Sequence, residues 1–375
     1  MTSERSAKWL ADDLRHVPRR IFVSEYVCGG GWSEETLEPS LAREGRAMLL
    51  AVTADLLRVC GCEVVTTWDK RFGAFPQEKC LEDFEAGEDR LNAARRLEIH
   101  EVDAADEATL FNELCASSAA ALIIAPEFHG ILASRTEVAA RETALLGSDV
   151  AAIELCSDKF CLATFLLERG IAAIPATELN LRAPVSDWQF PIVIKPRDGA
   201  GSLETFLVEN QDQMESVCRR IVECSTRGRA KGQPAFDFIQ QTFVPGEPLS
   251  VAVICGPDGG RCCLPVCRQT LSDDGCFQYL GADWNPDLTS LWQAKCDLLM
   301  SRVLDEIAGL GGYVGFDLIG CPDGSVQIVE INPRLTTGYL AWRKRAAGNL
   351  AENLLRGPHA MSYMDMPGRM CVNDL

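Results

Sequence analysis

Two β-strand patterns around one turn constrain the fold of this chain more than any other feature. Residues 311–320 and 326–334 are rich in aromatic and branched side chains, and they flank the turn sequence Pro322-Asp323-Gly324. This arrangement predicts a β-hairpin. If the turn centres on Asp323-Gly324, the carboxylate of Asp317 on the first strand lies opposite that of Glu330 on the second.

Alternation along the strands predicts which side chains share a face with these carboxylates. Successive side chains of a strand point to opposite faces, so Asp317 should lie with Gly315 and Ile319. By the same rule, Glu330 should lie with Ile328.

The opposed carboxylates indicate either a metal site or a solvated surface. Their Cβ atoms would be roughly 5 Å apart and the two charges would repel each other. Asn332 would lie on the face of Glu330, diagonal to Asp317. Oxygen ligands from Asp, Glu and Asn suit a hard cation such as Mg²⁺. The alternative is a hairpin whose carboxylates point into water, and the spacing alone leaves both interpretations open.

Composition limits the class of protein and its partners. A chain of 375 residues predicts two or three packed units, and a net charge of -18 disfavours nucleic acid or an anionic membrane as partner. We expect no membrane span and no secretory signal, because no apolar run is long enough. The 17 cysteines are scattered through apolar segments without paired Cys-x-x-Cys spacing, and the four histidines have no metal-ligand spacing. We therefore expect reduced thiols and a cytoplasmic location.

The first part of the chain predicts a small parallel α/β sheet over residues 20–150. Apolar strand patterns alternate with helical ones, and the segments are a strand at 21–27, a helix at 38–60, and strands at 63–67 and 120–125, with a polar, irregular segment at 68–96. Ligands of such sheets bind at the carboxyl ends of the strands. Glu25-Tyr26, the loop Gly29–Gly31 and Glu127 are therefore candidate contacts.

The next segment predicts a phosphate-binding flap. Ser157 should cap a helix that ends near Gly170, and a strand over 190–196 ends at Lys195. The glycine-containing loop that follows can wrap an anion with backbone amides and the Lys195 ammonium. The alternative is an ordinary surface turn.

The remaining periodicity predicts alternating helices and strands up to the hairpin. The expected segments are a helix at 211–224, a mobile stretch at 227–234, strands at 236–244, 249–253 and 262–268, and a helix at 287–310.

Taken in order, five motifs resemble the ATP-grasp superfamily. They are Asp158-Lys159, Lys195-Pro196 with its glycine loop, Gln240-Gln241-Thr242-Phe243 with Gly246-Glu247, Gly315-Phe316-Asp317, and Glu330-Ile331-Asn332-Pro333-Arg334. The resemblance implies an α/β (α+β) chain with an ATP-grasp domain at 151–360, whose mobile antiparallel lid subdomain occupies about 176–235. A preceding small parallel α/β domain would occupy 21–150, with an N-terminal extension at 1–20 and a tail at 361–375.

The resemblance also implies the site residues, each by its position in a motif. Lys159 and Lys195 would bind phosphates under a flap containing Gly199, Gly201 and Ser202. Gln240 would read the adenine amino group, the backbones of Gln241 and Phe243 would pair with the adenine edge, and Glu247 would bind the ribose. Asp317, Glu330 and Asn332 would hold Mg²⁺. Arg334 would face the reacting group, with Lys195 and Arg268 as further catalytic cations.

The activity implied is that of an ATP-dependent, ADP-forming carboxylate–amine ligase. A small-molecule carboxylate would become an acyl phosphate, and a small-molecule amine would then attack it. Gly315 stands where D-alanine-type ligases often carry Arg. The ending Glu330–Thr337 is similar to tyramine–glutamate ligases of methanofuran synthesis and their bacterial relatives, as are the segments Ser24-Glu25-Tyr26, Glu44-Gly45 and Pro265–Arg268. The alternatives are another ATP-grasp reaction, such as amino-acid or peptide ligation, and a non-catalytic nucleotide-binding regulator. The oligomeric state stays open, and a homodimer is compatible with the sequence.

Overall fold

The computed structural model describes residues 20–33, 39–181, 188–199, 201–230, 236–357, 362–363 and 367–372. The predicted N-terminal extension therefore lies outside the described residues except for Arg20, and the predicted tail is described at residues 362–363 and 367–372. The first part of the chain contains β1 (Arg20–Glu25), α1 (Pro39–Leu57), β2 (Glu63–Asp69), α2 (Gln77–Cys80), α3 (Glu88–Arg95), β3 (Leu97–Val102), α4 (Glu107–Ser117), β4 (Ala120–Ile124), α5 (Ile131–Glu142) and β5 (Ala144–Leu145).

These strands form the parallel sheet that the sequence predicts. The order is β3-β2-β1-β4-β5, and every pairing is parallel. The prediction of an irregular segment at 68–96 is wrong in part, because α2 and α3 lie within it. The sequence analysis also missed β3 and β5. Strand β3 carries polar residues at an edge of the sheet, and β5 has only two residues, so neither has the apolar run of a central strand.

The second part of the chain contributes the remaining elements. They are α6 (Val150–Ser157), α7 (Lys159–Glu168), β6 (Ala176–Glu178), β7 (Ile192–Pro196), β8 (Phe206–Val208), α8 (Gln211–Ala230), β9 (Phe238–Thr242), β10 (Glu247–Cys255), β11 (Arg261–Cys263), β12 (Cys267–Leu271), β13 (Tyr279–Trp284), α9 (Pro286–Glu306), β14 (Gly312–Gly320), β15 (Val326–Asn332), α10 (Gly338–Arg345), α11 (Leu350–Arg356) and β16 (Gly368–Cys371).

A seven-stranded sheet forms the floor of the second part. Its order is β15-β14-β10-β12-β13-β16, with β11 paired to β10. One face of its central strands packs on α6, α7 and α9, and the shared core includes Val251, Phe316 and Ile328 from the sheet with Trp292 and Met300 from α9. That packing leaves the opposite face of the same strands available for a site.

A smaller antiparallel sheet stands over this floor as the lid. Its order is β6-β9-β7-β8, and α8 packs on one of its faces through Met214, Val217 and Ile221. The first part of the chain joins the second through α1. Leu49 and Leu56 of α1 belong to one continuous core with Ile254 of the large sheet and with Tyr339 and Trp342 of α10.

Several local predictions need correction. Asp158, and not Ser157, caps α7, because its side chain accepts a hydrogen bond from the Cys161 amide at 2.9 Å. The strand predicted at 262–268 is two strands, since β11 ends at Cys263 and β12 begins at Cys267. The helix predicted at 211–224 continues to Ala230, so only part of the predicted stretch 227–234 lies outside the described residues. Strand β13 was not predicted.

The helices, cysteines and metal-ligating side chains can each be compared with what the composition predicts. No helix in the described part of the chain is long and apolar enough to cross a membrane. The described cysteines are all free thiols, and most are buried or half-buried. Within the same residues, no group of three or more His, Cys, Asp or Glu side chains is arranged to hold a metal ion.

Candidate functional site

A cavity of about 410 Å³ opens between the lid sheet and the floor sheet. The lid contributes side chains of β7 and β9, and the floor contributes side chains of β10, β12, β13, β14 and β15. Helices α1 and α10 contribute the part of the wall around Glu44 and Trp342, which is the far end of the cavity. The side chains and glycines that carry the argument below are Glu44, Met48, Lys159, Lys195, Gly199, Gly201, Ser202, Gln241, Phe243, Gln269, Tyr279, Asp317, Glu330, Asn332, Arg334 and Trp342.

The predicted hairpin is confirmed, with Asp317 directly opposite Glu330. Its faces differ from the prediction at one point. The register shifts after Asp317, because Val329 is an extra residue on β15, which makes a β-bulge. Val329 and Glu330 therefore both face the cavity, whereas Ile328 is buried in the core. The expectation that Glu330 shares a face with Ile328 is wrong for this reason.

The Asp317 carboxylate receives hydrogen bonds on both of its oxygens. Gln269 donates from Nε2 to Oδ1 at 2.7 Å, and Asn332 donates from Nδ2 to Oδ2 at 3.1 Å. Burial and the neighbouring Glu330 carboxylate, to which Asp317 is hydrogen-bonded, raise the pKa of Asp317 well above its usual range. Two carboxylates this close need a shared proton or a cation between them.

The two predicted lysines lie at the same end of the cavity. Lys159, the first residue of α7, places Nζ 3.6 Å from Glu330 Oε2 and donates to the Gly199 carbonyl at 2.8 Å. Lys195 ends β7 and is 6% exposed. Burial lowers the pKa of Lys195 to about 8, against the opposing effect of Glu330. Burial alone would raise the pKa of Glu330, but Lys159 and Lys195 outweigh it and lower that pKa.

This end of the cavity fits a divalent cation and a polyphosphate. Asp317 and Glu330 supply carboxylate oxygens, and Asn332 supplies an amide oxygen once its nitrogen turns away from the metal. The Asp317 and Glu330 carboxylates are close enough to share a hydrogen bond, so a cation bound between them would relieve their repulsion. Lys159 and Lys195 face the same space and would meet an anion.

The glycine loop covers this end from the lid. Gly199, Gly201 and Ser202 all line the cavity. Ser202 donates its hydroxyl to the Phe277 carbonyl at 2.8 Å. The loop also contacts the first part of the chain, because the His129 amide donates to Asp198 Oδ2 at 2.7 Å.

Arg334 lines the cavity, and protein groups accept hydrogen bonds from three of its five N–H donors. Nε and Nη2 donate to the two oxygens of Glu127, each at 2.8 Å, and Nη1 donates to the Leu335 carbonyl at 3.1 Å. Burial opposes the charge on Arg334, yet Glu127 outweighs it and raises the pKa of the guanidinium. Glu127, a candidate contact at the end of β4, therefore acts on the cavity through Arg334.

The connection between lid and floor supports only part of the predicted adenine contacts. Gln241 and Phe243 line the cavity. Gln240 does not, because it pairs with Ile194 on the face of β9 that packs toward α8, while Gln241 takes the cavity face. The Phe243 amide donates to the Pro191 carbonyl at 3.0 Å, so pairing with adenine through this amide would have to break that bond.

Two charged residues predicted for the site face away from the cavity. Glu247 and Arg268 form an ion pair on the opposite face of the floor sheet, where Trp292 of α9 also donates to Glu247 at 2.8 Å. Pro248 and Gln269, their neighbours in sequence, take the cavity face instead. Strand alternation turns both side chains outward, so this geometry does not support the predicted ribose contact of Glu247 or the predicted catalytic role of Arg268.

Several candidate residues of the first sheet also stay out of the cavity. The carboxylate of Glu25 is 3% exposed and accepts a hydrogen bond from the Cys28 amide at 2.5 Å. Gly45 of α1 packs directly against this carboxylate, since a Cβ at that position would lie 2.5 Å from Glu25 Oε1. Burial raises the pKa of Glu25 to about 7. Glu25, Tyr26 and the Gly29–Gly31 loop do not line the cavity.

The sequence analysis missed Gln269, Glu44, Met48, Tyr279 and Trp342 as cavity residues. Gln269 could have been found from alternation, because it adjoins Arg268 on the opposite face of β12. Glu44 lies one helical turn before Met48 on α1, beside the apolar stripe of that helix.

Comparison with known proteins identifies the fold. Residues 156–338 match the model of the ATP-grasp domain, and residues 62–153 match that of the pre ATP-grasp 3 domain. The chain has the ATP-grasp fold, with an ATP-grasp domain at residues 156–338. The pre ATP-grasp match covers β2 to β5 but not β1, and the ATP-grasp match covers the lid and the hairpin of β14 and β15.

The chain is similar to two ATP-grasp relatives with a named activity. They are the tyramine–L-glutamate ligases of Methanocaldococcus fervens and Methanocaldococcus jannaschii, at 27% and 28% identity over 240 residues. The match covers 63% of this chain and 65% and 61% of the relatives' own length. An N5-carboxyaminoimidazole ribonucleotide synthetase solved as its ADP complex shares the fold, with a TM-score of 0.68, 14% identity, and coverage of 95% of this chain and 82% of that one.

Proposed function

We propose that this chain is an ATP-dependent carboxylate–amine ligase that forms an amide bond and releases ADP and phosphate. ATP would transfer its γ-phosphoryl group to a substrate carboxylate and give an acyl phosphate. An amine would then attack the acyl carbon, and phosphate would leave. Glutamate is the proposed acid and tyramine or a related arylalkyl amine the proposed acceptor, because the relatives matched over 240 residues are tyramine–L-glutamate ligases.

The observation that carries this proposal is the juxtaposition of cations and carboxylates at one end of the cavity. Lys159 and Lys195 face the same space as Asp317, Glu330 and Asn332. Transfer of a phosphoryl group depends mainly on position and on neutralisation of negative charge. Both requirements are met here by side chains that rigid strands and a helix N-terminus hold in place.

Each residue has a distinct proposed part in the reaction. Lys195 would contact phosphate oxygens from the lid, and Lys159 would do so from the start of α7. Asp317, Glu330 and Asn332 would hold Mg²⁺, which when bound neutralises charge on phosphate oxygens. The glycine loop would exclude water from the acyl phosphate. Arg334, fixed by Glu127, would lie beside the carboxylate being activated.

Nucleotide contacts in this proposal come from the lid and from the segment that joins it to the floor. Gln241 and Phe243 would face the base, with Ile174 and Val193 as apolar neighbours on the cavity wall. Gln240 and Glu247 are not part of this proposal, because neither side chain lines the cavity.

The test is ADP release in the presence of Mg²⁺, ATP and a grid of acids against amines. The grid includes glutamate with tyramine and with tyrosine, and a second set in which hydroxylamine replaces the amine. We expect acid-dependent ADP release, hydroxamate formation with hydroxylamine, and amide product with one amine class. Release of ADP with amino-acid pairs alone would favour a peptide ligase, and tight ATP binding without ADP release across the grid would favour a regulator.

A further inference from the structure

Glu44 is the one acidic side chain in the cavity wall that no described residue compensates. Asp317 accepts two amide donors, and Glu330 is 3.6 Å from the Lys159 ammonium. Glu44 also lines the cavity and is partly buried, but it accepts no hydrogen bond and forms no ion pair within the described residues. A partly buried carboxylate without a donor is costly, and such groups normally meet a ligand, a metal or water.

The nearest cations do not supply the missing partner. Arg334 and Arg43 are close enough to act on Glu44 electrostatically, but burial outweighs them and raises the pKa of its carboxyl group. Arg334 uses Nε, Nη1 and Nη2 on Glu127 and on the Leu335 carbonyl. The negative charge of Glu44 is therefore directed into the cavity and not into the protein.

The surroundings of Glu44 are apolar and aromatic. Met48 follows it by one turn of α1, and Tyr279, Ala341 and Trp342 line the same end of the cavity. Burial raises the pKa of the Tyr279 phenol, and Glu44, which lines the same cavity, is among the negative groups that add to this shift. A ligand that fits here needs an apolar body and one positive charge.

Arg334 relates this compartment to the reacting end. Its guanidinium is close enough to act electrostatically on both Glu330 and Glu44, and all three side chains line the cavity. An ammonium against Glu44 would therefore be next to the position proposed for the acyl group. Lys159 and Lys195 act on Glu330 in the same cavity and suit an anion.

We propose that Glu44 binds the ammonium group of the acceptor substrate, and that this substrate is a primary arylalkyl amine with no carboxylate beside its nitrogen. The inference rests on the proposed ligase function and deepens it. The second condition follows from Arg334, because its ion pair with Glu127 already compensates its charge, so Arg334 supplies no unpaired cation for an α-carboxylate. Glu44 would be a determinant of specificity that selects amines and repels amino acids.

A ligand pair and a variant pair together test this assignment. Tyramine and tyrosol differ only in an ammonium against a hydroxyl, and Glu44→Gln removes the charge while keeping the shape of residue 44. Calorimetric titrations of the full chain with saturating Mg-ADP would measure both ligands on the wild type, on Glu44→Gln and on the control Glu113→Gln. Glu113 is an exposed carboxylate on α4, far in sequence from the cavity wall.

We expect tyramine to bind the wild type and Glu113→Gln at least about 10-fold more tightly than tyrosol, and tyrosine to bind no better than tyrosol. In Glu44→Gln the preference for tyramine over tyrosol should disappear, while tyrosol affinity changes little. Three results would overturn the inference: no tyramine binding to the wild type, equal binding of the two ligands to the wild type, or an equal loss of both ligands in Glu44→Gln. Equal thermal midpoints of the three proteins would show that each is folded.

Failure of the ligase proposal would be seen separately. Hydroxamate formation by the wild type with hydroxylamine needs ATP and the acid but no bound ammonium. If no acid in the grid gives hydroxamate, the ligase proposal fails, whatever the titrations show. If hydroxamate forms and the titrations show no charge preference, only the assignment of Glu44 fails.

Discussion

The two ends of the cavity balance their charges in different ways. At the nucleotide end, Glu330 lies 3.6 Å from the Lys159 ammonium, and Asp317 receives amide donors from β12 and β15. At the far end, Arg334 is compensated by Glu127 from the first part of the chain, and Glu44 has no donor among the described residues.

The difference indicates how much each end depends on its ligand. The nucleotide end is held together by charges of both signs, so its geometry exists before a ligand arrives. The far end carries an excess of negative charge that a cationic substrate would neutralise. The predictions below test the two ends in order of decreasing expected effect.

The carboxylate pair should show the largest effect. We expect Asp317→Ala or Glu330→Ala to lower Mg²⁺-dependent ADP formation by about 1,000-fold, because each removes a proposed metal ligand from a water-excluded site. Steady-state ADP release at saturating ATP would measure this.

The matched control is Asp323→Asn, a change to an exposed carboxylate in the turn of the same hairpin, which should retain wild-type turnover. Wild-type turnover in either cavity variant would contradict the metal assignment and would remove the main chemical difference between the two ends.

The next effect concerns the ion pair that fixes Arg334. Glu127 is 4% exposed, so Glu127→Gln leaves the guanidinium with one neutral partner in a buried position. We expect the free energy of unfolding to fall by about 3 kcal/mol. Urea denaturation would measure the change.

The exposed pair of Glu137 and Arg141 on α5 provides the comparison. Glu137→Gln should cost less than about 0.5 kcal/mol, as is typical of exposed helix pairs. An equal loss of unfolding free energy in the two variants would show that Glu127 does not stabilise the buried Arg334 guanidinium. The positive charge of Arg334 would then be uncompensated at the far end.

Lys195→Ala should weaken ATP binding by about 10- to 100-fold, the range expected for loss of a hydrogen bond to a charged group. Calorimetric titration with ATP and Mg²⁺ would measure it, with Lys295→Ala on α9 as an exposed control. An unchanged ATP affinity in Lys195→Ala would contradict the phosphate assignment and leave Lys159 as the main cation of that end.

The same lysine predicts a pH dependence. Burial lowers the pKa of Lys195 to about 8, so the free protein loses this ammonium as the pH rises from 7 to 9. A bound phosphate favours the charged form, and ATP affinity should therefore fall by up to about 10-fold across this window. Lys195→Arg should remove most of that dependence, because a guanidinium stays charged. A wild-type affinity that is constant from pH 7 to pH 9 would argue against contact between Lys195 and phosphate.

The fold was largely predictable because its signals are local. The hairpin, α1, α9 and the central strands of the parallel sheet each carry an apolar pattern of the correct period. Edge strands such as β3 do not, because only one neighbour and one face constrain their residues.

The site was predictable only where a motif fixes the strand face. Asp317 and Lys159 lie as expected, but the bulge at Val329 is invisible to simple alternation, and it decides the face of Glu330. Glu44 could not be assigned from its own segment, because its role follows from contacts that join α1 to the hairpin and to α10.

Substitution of Glu247 should have the smallest effect on ATP affinity, and it tests whether the nucleotide binds where the cavity residues indicate. Its carboxylate binds Arg268 and Trp292 on the far face of the floor sheet. Glu247→Gln should therefore leave ATP affinity within about twofold of the wild type, as surface substitutions usually do. Calorimetric titration with ATP and with GTP would measure this together with base preference. A loss of 10-fold or more would mean that β10 turns Glu247 toward the ribose when nucleotide binds. The nucleotide end would then rearrange on binding, and the contrast with a preassembled site would no longer hold.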